Sequence, residues 1–242
     1  MWRHSQALLL LLLSFSSAQR DPLQSQIVGG HEAKAHSRPY MAYLSGLKTN
    51  CGGFLVAPQW VMTAAHCNDT YTVILGAHNI TVEEPSQQVF TVEANHPHPE
   101  YNKYTYYSDI RLLKLNSKAT LNEYVSTLRL PTFNDDLANG TPCSVAGWGL
   151  VYKDWIPETL YETNVTIYGR WECGKLYADI SDANICAGRP DEPEDSSQGD
   201  SGGPLVCNGV AQGIVSYGYS CPPGVYTRVA HYLPWIKKTM RK

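Results

Sequence analysis

Glycine and proline punctuate this chain of 242 residues throughout, 19 and 15 of them respectively, which makes long uninterrupted helices a poor solution for its core. Between these breakers stand short β-branched or aromatic runs, among them Thr72-Val73-Ile74-Leu75, Val89-Phe90-Thr91-Val92 and Gly213-Ile214-Val215-Ser216-Tyr217. Many short strands with frequent turns predict an all-β fold, a sandwich or a barrel. The exception lies at roughly His231 to Met240, where Leu233, Trp235, Ile236 and Met240 recur at helical spacing and Lys237, Lys238 and Arg241 follow near the end. That pattern predicts one terminal helix, with Pro234 tolerated in its first turn and the cations placed where the dipole favours them. With 43% hydrophobic and 17% charged residues the chain can bury a large core, which excludes collagen-like, coiled-coil and disordered classes. No internal repeat suggests a solenoid.

Met1 to Ser17 combines a short n-region carrying Arg3 with an apolar run from Ala7 to Leu13 and small residues up to Ala18. It reads as a signal peptide, residues 1–18, and the run is well short of the roughly 20 residues that span a bilayer. No later segment is long enough either, so no membrane span is expected. Gln19 to Gln26 lacks hydrophobic periodicity and reads as a detachable pro-segment ahead of Ile27-Val28-Gly29-Gly30. A secreted chain enters an oxidising compartment, where its seven cysteines (51, 67, 143, 173, 186, 207 and 221) can pair, leaving one over. No two of them stand two to four residues apart, so a zinc site is a poor account of the set. Four N-x-Thr sequons, at Asn68, Asn79, Asn139 and Asn164, are candidates for glycosylation. Without Arg3, Arg20 and Asp21 the body holds 17 basic and 21 acidic residues, a formal charge of −4, which does not suit a nucleic-acid partner.

The segment that speaks most directly of chemistry is Gly199-Asp200-Ser201-Gly202-Gly203-Pro204. Glycines around one serine let the backbone turn tightly, expose the hydroxyl and leave amide N–H groups free to face a substrate oxygen. Alone, it would be an ordinary turn. Thr63-Ala64-Ala65-His66-Cys67 and Ser108-Asp109-Ile110 change that reading, because a serine hydroxyl needs an imidazole to take its proton and the imidazole needs a carboxylate to fix its tautomer. His96-Pro97-His98-Pro99 offers two imidazoles at alternate positions but no third ligand nearby, so no metal is expected there.

The order His66, Asp109, Ser201, together with Ile27-Val28-Gly29-Gly30, Cys51-Gly52-Gly53, Val145-Ala146-Gly147-Trp148-Gly149 and Pro223-Gly224-Val225-Tyr226, resembles the zymogens of chymotrypsin-fold, trypsin-like serine proteases. The order is the reverse of the Ser-first order of α/β-hydrolases. Gly30-His31-Glu32-Ala33-Lys34, Ser37 to Ala42, Ala211 to Gly218 and Trp235 to Met240 resemble, within that family, the granzymes and mast-cell proteases.

The resemblance implies two six-stranded antiparallel β-barrels packed face to face with a C-terminal α-helix, the first over about residues 27–129 and the second, with the helix, over about 130–242. It implies an oxyanion hole from the backbone N–H groups of Gly199 and Ser201, and a strand at Ser216, Tyr217 and Gly218 that pairs with substrate backbone. The Asp200 side chain would receive the amino terminus freed at Ile27. The pairings implied are Cys51 with Cys67, Cys143 with Cys207 and Cys173 with Cys186. Cys221 is left alone, since the position of its usual partner is Ser197.

Asp195 falls at the floor of the primary specificity pocket, with Gly218 and Gly224 on its walls, and a carboxylate there selects Arg or Lys in trypsin-like members. Two alternatives stay open for the pocket: Asp195 as the end of a solvated acidic run from Asp191, and a chymotrypsin-like or elastase-like preference. A catalytically silent homologue that acts by binding is the reading from a different class. The family's calcium loop uses carboxylates where this chain has Ala77 and Gln87, with Glu83 and Glu84 between, so no metal and no cofactor are expected. The expected partners are protein or peptide substrates, protein inhibitors and an activating protease. Granule members of the group are commonly strongly basic and this chain is mildly acidic, so plain secretion stands beside granule storage as the expected destination. Gln26 precedes Ile27, which argues against activation by a protease that requires Lys or Arg.

Overall fold

The computed structural model describes residues 30–150, 156–191, 200–219 and 222–241. The signal peptide, the pro-segment, Ile27, Asp195, Ser197, Gly199 and Cys221 lie outside the described residues.

Six antiparallel strands close the first barrel: β2 (Met41–Gly46), β3 (Cys51–Ala57), β4 (Trp60–Thr63), β5 (Tyr71–Leu75), β6 (Gln88–Pro97) and β7 (Arg111–Leu115), in the order β2-β3-β4-β7-β6-β5. Alternation drives the closure. In β5, Tyr71, Val73 and Leu75 are buried while Thr72 is exposed, the period-two pattern of a strand with one face on the core. The interior is filled by Leu44, Phe54, Leu55, Met62, Leu75, Leu112, Leu113 and Leu115, all fully buried. The register β4–β7 sets Thr63 opposite Arg111, which brings the ends of two strands together just where His66 and Asp109 leave the barrel.

The second barrel uses β8 (Pro142–Gly147), β9 (Tyr161–Tyr168), β10 (Asn184–Ala187), β11 (Pro204–Cys207), β12 (Val210–Tyr217) and β13 (Gly224–Arg228), ordered β9-β10-β13-β12-β11-β8 and closed by β8 against β9. The short strand β1 (His31–Glu32) comes from the start of the described chain yet pairs with β9 of this second barrel. Its core is a smaller cluster around Val145, Val165, Ile185, Leu205 and Tyr226.

Disulfides join Cys51 to Cys67 in the first barrel, and Cys143 to Cys207 and Cys173 to Cys186 in the second. Cys173 ends the one-turn helix α1 (Arg170–Cys173). The connection between barrels is clamped from the second: Asp136 takes two hydrogen bonds of 2.6 Å from Arg170 and lies 3.1 Å from Arg228, which is itself buried. Two guanidinium groups hold the Asp136 carboxyl below its ordinary range, the bonds from Arg170 most of all.

The terminal helix is shorter than its apolar periodicity predicts. Residues Val229–Tyr232, His231 among them, form a 3-10 turn, and α2 proper runs Leu233–Thr239 with Pro234 in its first turn. Pro234 has no N–H to give, which costs nothing in the first turn of α2 where that group would be unpaired, and the approach to it is made by a tighter winding. Val229, Tyr232 and Ile236 belong to the same buried cluster as the first barrel's leucines. The helix therefore follows the second barrel in sequence and packs on the first.

Candidate active site

Asp109 is fully buried at the seam between the barrels. A carboxylate without solvent must be satisfied by donors, and four converge on this residue. The His66 backbone N–H donates to Oδ1 at 2.8 Å and His66 Nδ1 lies 2.7 Å from Oδ2. Ser216 Oγ, from β12, donates to Oδ2 at 2.5 Å, and Thr227 Oγ1, from β13, donates to the Asp109 carbonyl at 2.8 Å. A carboxylate can only accept, so the proton between it and His66 sits on Nδ1, and the neutral ring carries its lone pair on Nε2. Two of the four donors come from the second barrel; Asp109 thus joins the barrels as well as orienting the imidazole.

The loop that delivers Asp109 is strained. Tyr106 and Ser108 both adopt φ of 56°, a left-handed conformation costing roughly 1–3 kcal/mol for a residue with a side chain. Neighbours hold it there: the Tyr106 ring packs edge-on against His66 at 5.6 Å and tilted against Tyr217 at 5.5 Å, and Tyr232 Oη donates to Ser108 Oγ at 3.2 Å.

Ser201 opens the turn ahead of β11 and is half-buried. Its carbonyl accepts from the N–H of Gly52, in β3, at 2.8 Å, and the Cys67 sulfur lies 3.5 Å from the same oxygen. The disulfide that follows His66 in sequence therefore rests on the backbone of Ser201. Gly202 takes φ of +83°, and a Cβ there would stand 2.0 Å from Thr63 Oγ1 and 2.6 Å from the Gly52 carbonyl, so only glycine allows this approach of the two barrels. Asp200 is buried, and its Oδ1 accepts from the Gly149 N–H at 2.9 Å while lying against the Cα of Gly147. The segment Gly147-Trp148-Gly149 is fastened in turn to the first barrel by Trp148 Nε1, which donates to the His78 carbonyl at 3.0 Å.

The Tyr106 ring that packs on His66 also lines a cavity of about 400 Å³, together with Tyr107, Tyr217 and Asp179. Burial and the nearby Asp179 carboxylate push the Tyr217 phenol up to about 12, so it stays neutral and offers an uncharged wall. Gly218 and Gly224 approach each other: a Cβ on Gly218 would meet the Gly224 Cα at 3.5 Å.

Of the other residues singled out by the sequence, Asn68, Asn139 and Asn164 are exposed, while Asn79 is half-buried and its Oδ1 accepts from both the N–H and the hydroxyl of Thr81. In the loop around Ala77, Gln87 donates its side-chain amide to the carbonyls of Asn79 and Val82, and Glu84 accepts from the backbone of His78 and Asn79. His98 packs edge-on against Tyr232 and Trp235, and His96 lies against Trp60. Sequence reasoning missed the hydroxyls of Ser216 and Thr227 on Asp109, and the buried Arg111 nearby. Only Arg111 left a signal, as a charge inside Ile110-Arg111-Leu112-Leu113.

Known proteins carry the same plan. The Trypsin family model matches residues 27–236. Granzyme B of Rattus norvegicus is 49% identical, with 97% of this chain and 99% of that protein covered, and Mast cell protease 3 of Ovis aries is 46% identical, with 97% and 96% covered. The solved structure described as "Structure of GrC" superposes with a TM-score of 0.85 at 44% identity, covering 88% of this chain and 99% of its own. Two closed barrels, a buried aspartate at their seam bonded to a histidine, and these likenesses over nearly the full length lead to one conclusion: the chain belongs to the trypsin family, is similar to granzymes and mast-cell proteases within it, and is a serine endopeptidase.

Proposed function

We propose that this chain is a secreted endopeptidase that cuts after Arg or Lys through an acyl-enzyme formed on Ser201. The observation that carries the mechanism is the buried Asp109 carboxylate, bonded at once to the N–H and Nδ1 of His66. With Nδ1 so engaged, His66 Nε2 takes the proton from Ser201 Oγ as that oxygen adds to the scissile carbonyl. The same proton passes to the leaving amine as the C–N bond breaks, and water then repeats the sequence to release the acid. The backbone N–H groups of Gly199 and Ser201 stabilise the oxyanion, and Ser216 to Gly218 pair with substrate backbone. The Asp109–Ser216 bond couples that pairing strand to the acid–base pair.

Asp195, with Gly218 and Gly224 as walls, attracts a guanidinium or ammonium and disfavours an apolar residue, which cannot offset the carboxylate's desolvation. Activation consists of freeing Ile27, whose amine would form a buried ion pair with Asp200 and so order the Gly199–Ser201 turn. Residues 1–18 act as the signal peptide and 19–26 as the pro-segment, and the product is secreted or stored in a granule.

A panel of peptides differing only in the residue before the cut, given to protein that begins at Ile27, tests the preference. Fast cleavage after Arg and Lys, lost in Asp195→Ser, is expected; equal cleavage by parent and variant, or a preference for aromatic or small residues, would overturn it.

A further inference from the structure

Two residues beyond Asp109, the chain places an arginine where an apolar side chain would serve the barrel better. Arg111 lies in β7 beside Leu112 and Leu113 and is only 2% exposed. Burying a guanidinium costs several kcal/mol unless it is well bonded, and its bonds are specific. Nη2 donates to the Ala65 carbonyl at 2.7 Å and to Asn68 Oδ1 at 3.1 Å, and Nη1 donates to Asn95 Oδ1 at 3.1 Å. Every acceptor is a neutral amide oxygen. Ala65 immediately precedes His66, and Arg111 follows Asp109 by two, so one rigid fork spans the segments that carry both members of the acid–base pair. The charged and titratable groups facing it are Asp109, Tyr71 from β5 and Tyr101 from the loop after β6, with Asp69 beside Tyr71. Asp109 is the one buried carboxylate in that set.

We propose that Arg111 is a positioning residue for the His66–Asp109 pair: its fork sets the spacing of their two segments. The inference rests on the acyl-enzyme reading above. Loss of the fork misplaces the imidazole, which lowers kcat rather than raising KM.

The test compares the parent with Arg111→Met and Arg111→Lys, all beginning at Ile27, on one Arg-containing peptide at a temperature where each is fully folded. For Arg111→Met the expected result is a kcat about tenfold lower with KM within about twofold. Arg111→Lys keeps the charge without the fork, so its kcat should be reduced as well. A kcat per folded molecule equal to the parent's, or a KM that rises while kcat holds, would make Arg111 merely structural and overturn the inference, as would full recovery of kcat by Arg111→Lys. Should Arg111→Met fail to accumulate, Asn95→Ala removes the exposed acceptor from Nη1 without emptying the core and should lower kcat with KM unchanged; a parent-like kcat there is again fatal. Ser201→Ala separates the two levels of argument. If it still hydrolyses the peptide, the acyl-enzyme reading falls and this inference with it; if it is inert while the Arg111 variants behave as the parent, only the inference falls.

Discussion

In the first barrel, His66 and Asp109 stand on loops just beyond the ends of β4 and β7, strands whose interior is a wall of fully buried Leu, Phe and Met. In the second, Ser201 stands on a glycine turn held by backbone bonds from Gly52, Gly202 and Gly203, above a smaller core that two disulfides reinforce. One half positions its groups by packing and a buried charge; the other does so by close backbone approach. The halves meet at Asp109, which takes bonds from Ser216 and Thr227, and at Gly202, which touches Thr63 and Gly52. Precision at such a seam depends on both interiors, so damage far from the cleft in either barrel is expected to reach the chemistry.

The sharpest way to separate the contributions is Ser201→Ala, which removes the proposed nucleophile and nothing that holds the turn. Turnover should fall on the order of 10⁴-fold or more, with a melting temperature equal to the parent's in calorimetry. Next come the disulfides. Cys143–Cys207 spans 64 residues and Cys51–Cys67 spans 16, so removing them should cost about 4 and about 3 kcal/mol respectively in denaturant titrations. Activity per folded molecule should rank the other way, because Cys67 adjoins His66 and rests on Ser201. An equal loss of activity in both would mean that the first barrel holds His66 without help from the bridge.

Gly202→Ala probes the seam itself. A left-handed φ and contacts of 2.0 and 2.6 Å await the new methyl, and about 2–3 kcal/mol should be lost with activity. Gly140→Ala, at φ of +80° with nothing within 4 Å of its Cβ, should cost only about 1 kcal/mol. The smallest effect belongs to His98. Burial holds its imidazole below the ordinary value, so the unfolded chain takes up a proton first as pH falls below about 6.5, and stability is lost there. His98→Phe keeps the ring between Tyr232 and Trp235 and should flatten the melting temperature between pH 7 and 5, while leaving it unchanged at pH 8.

The sequence was most legible where a residue's role is announced by its neighbours. Glycines flanking Ser201 mark a tight turn, and strand periodicity marks β5, β6 and β12. What crosses between barrels carries no local pattern. Ser216 reads as one more polar residue in a strand, and nothing near it in the chain points to Asp109, 107 residues away. The terminal helix stands where the sequence predicts it but begins later, because apolar spacing does not distinguish a 3-10 approach from an α-helix. Arg111 is a charge inside an apolar run, but only the fold shows that its fork reaches Ala65.

The helix α2 and the 3-10 turn before it have a consequence for how the protein is made. A ribosome completes the six strands of the first barrel by Leu115, more than a hundred residues before Val229, Tyr232 and Ile236, which complete the cluster that the first barrel's leucines begin. The barrel synthesised first must therefore wait, with part of its apolar surface uncovered, for nearly the whole of the second to emerge. A chain interrupted before residue 229 would leave that surface bare, a form that chaperones and proteases can distinguish from the finished enzyme.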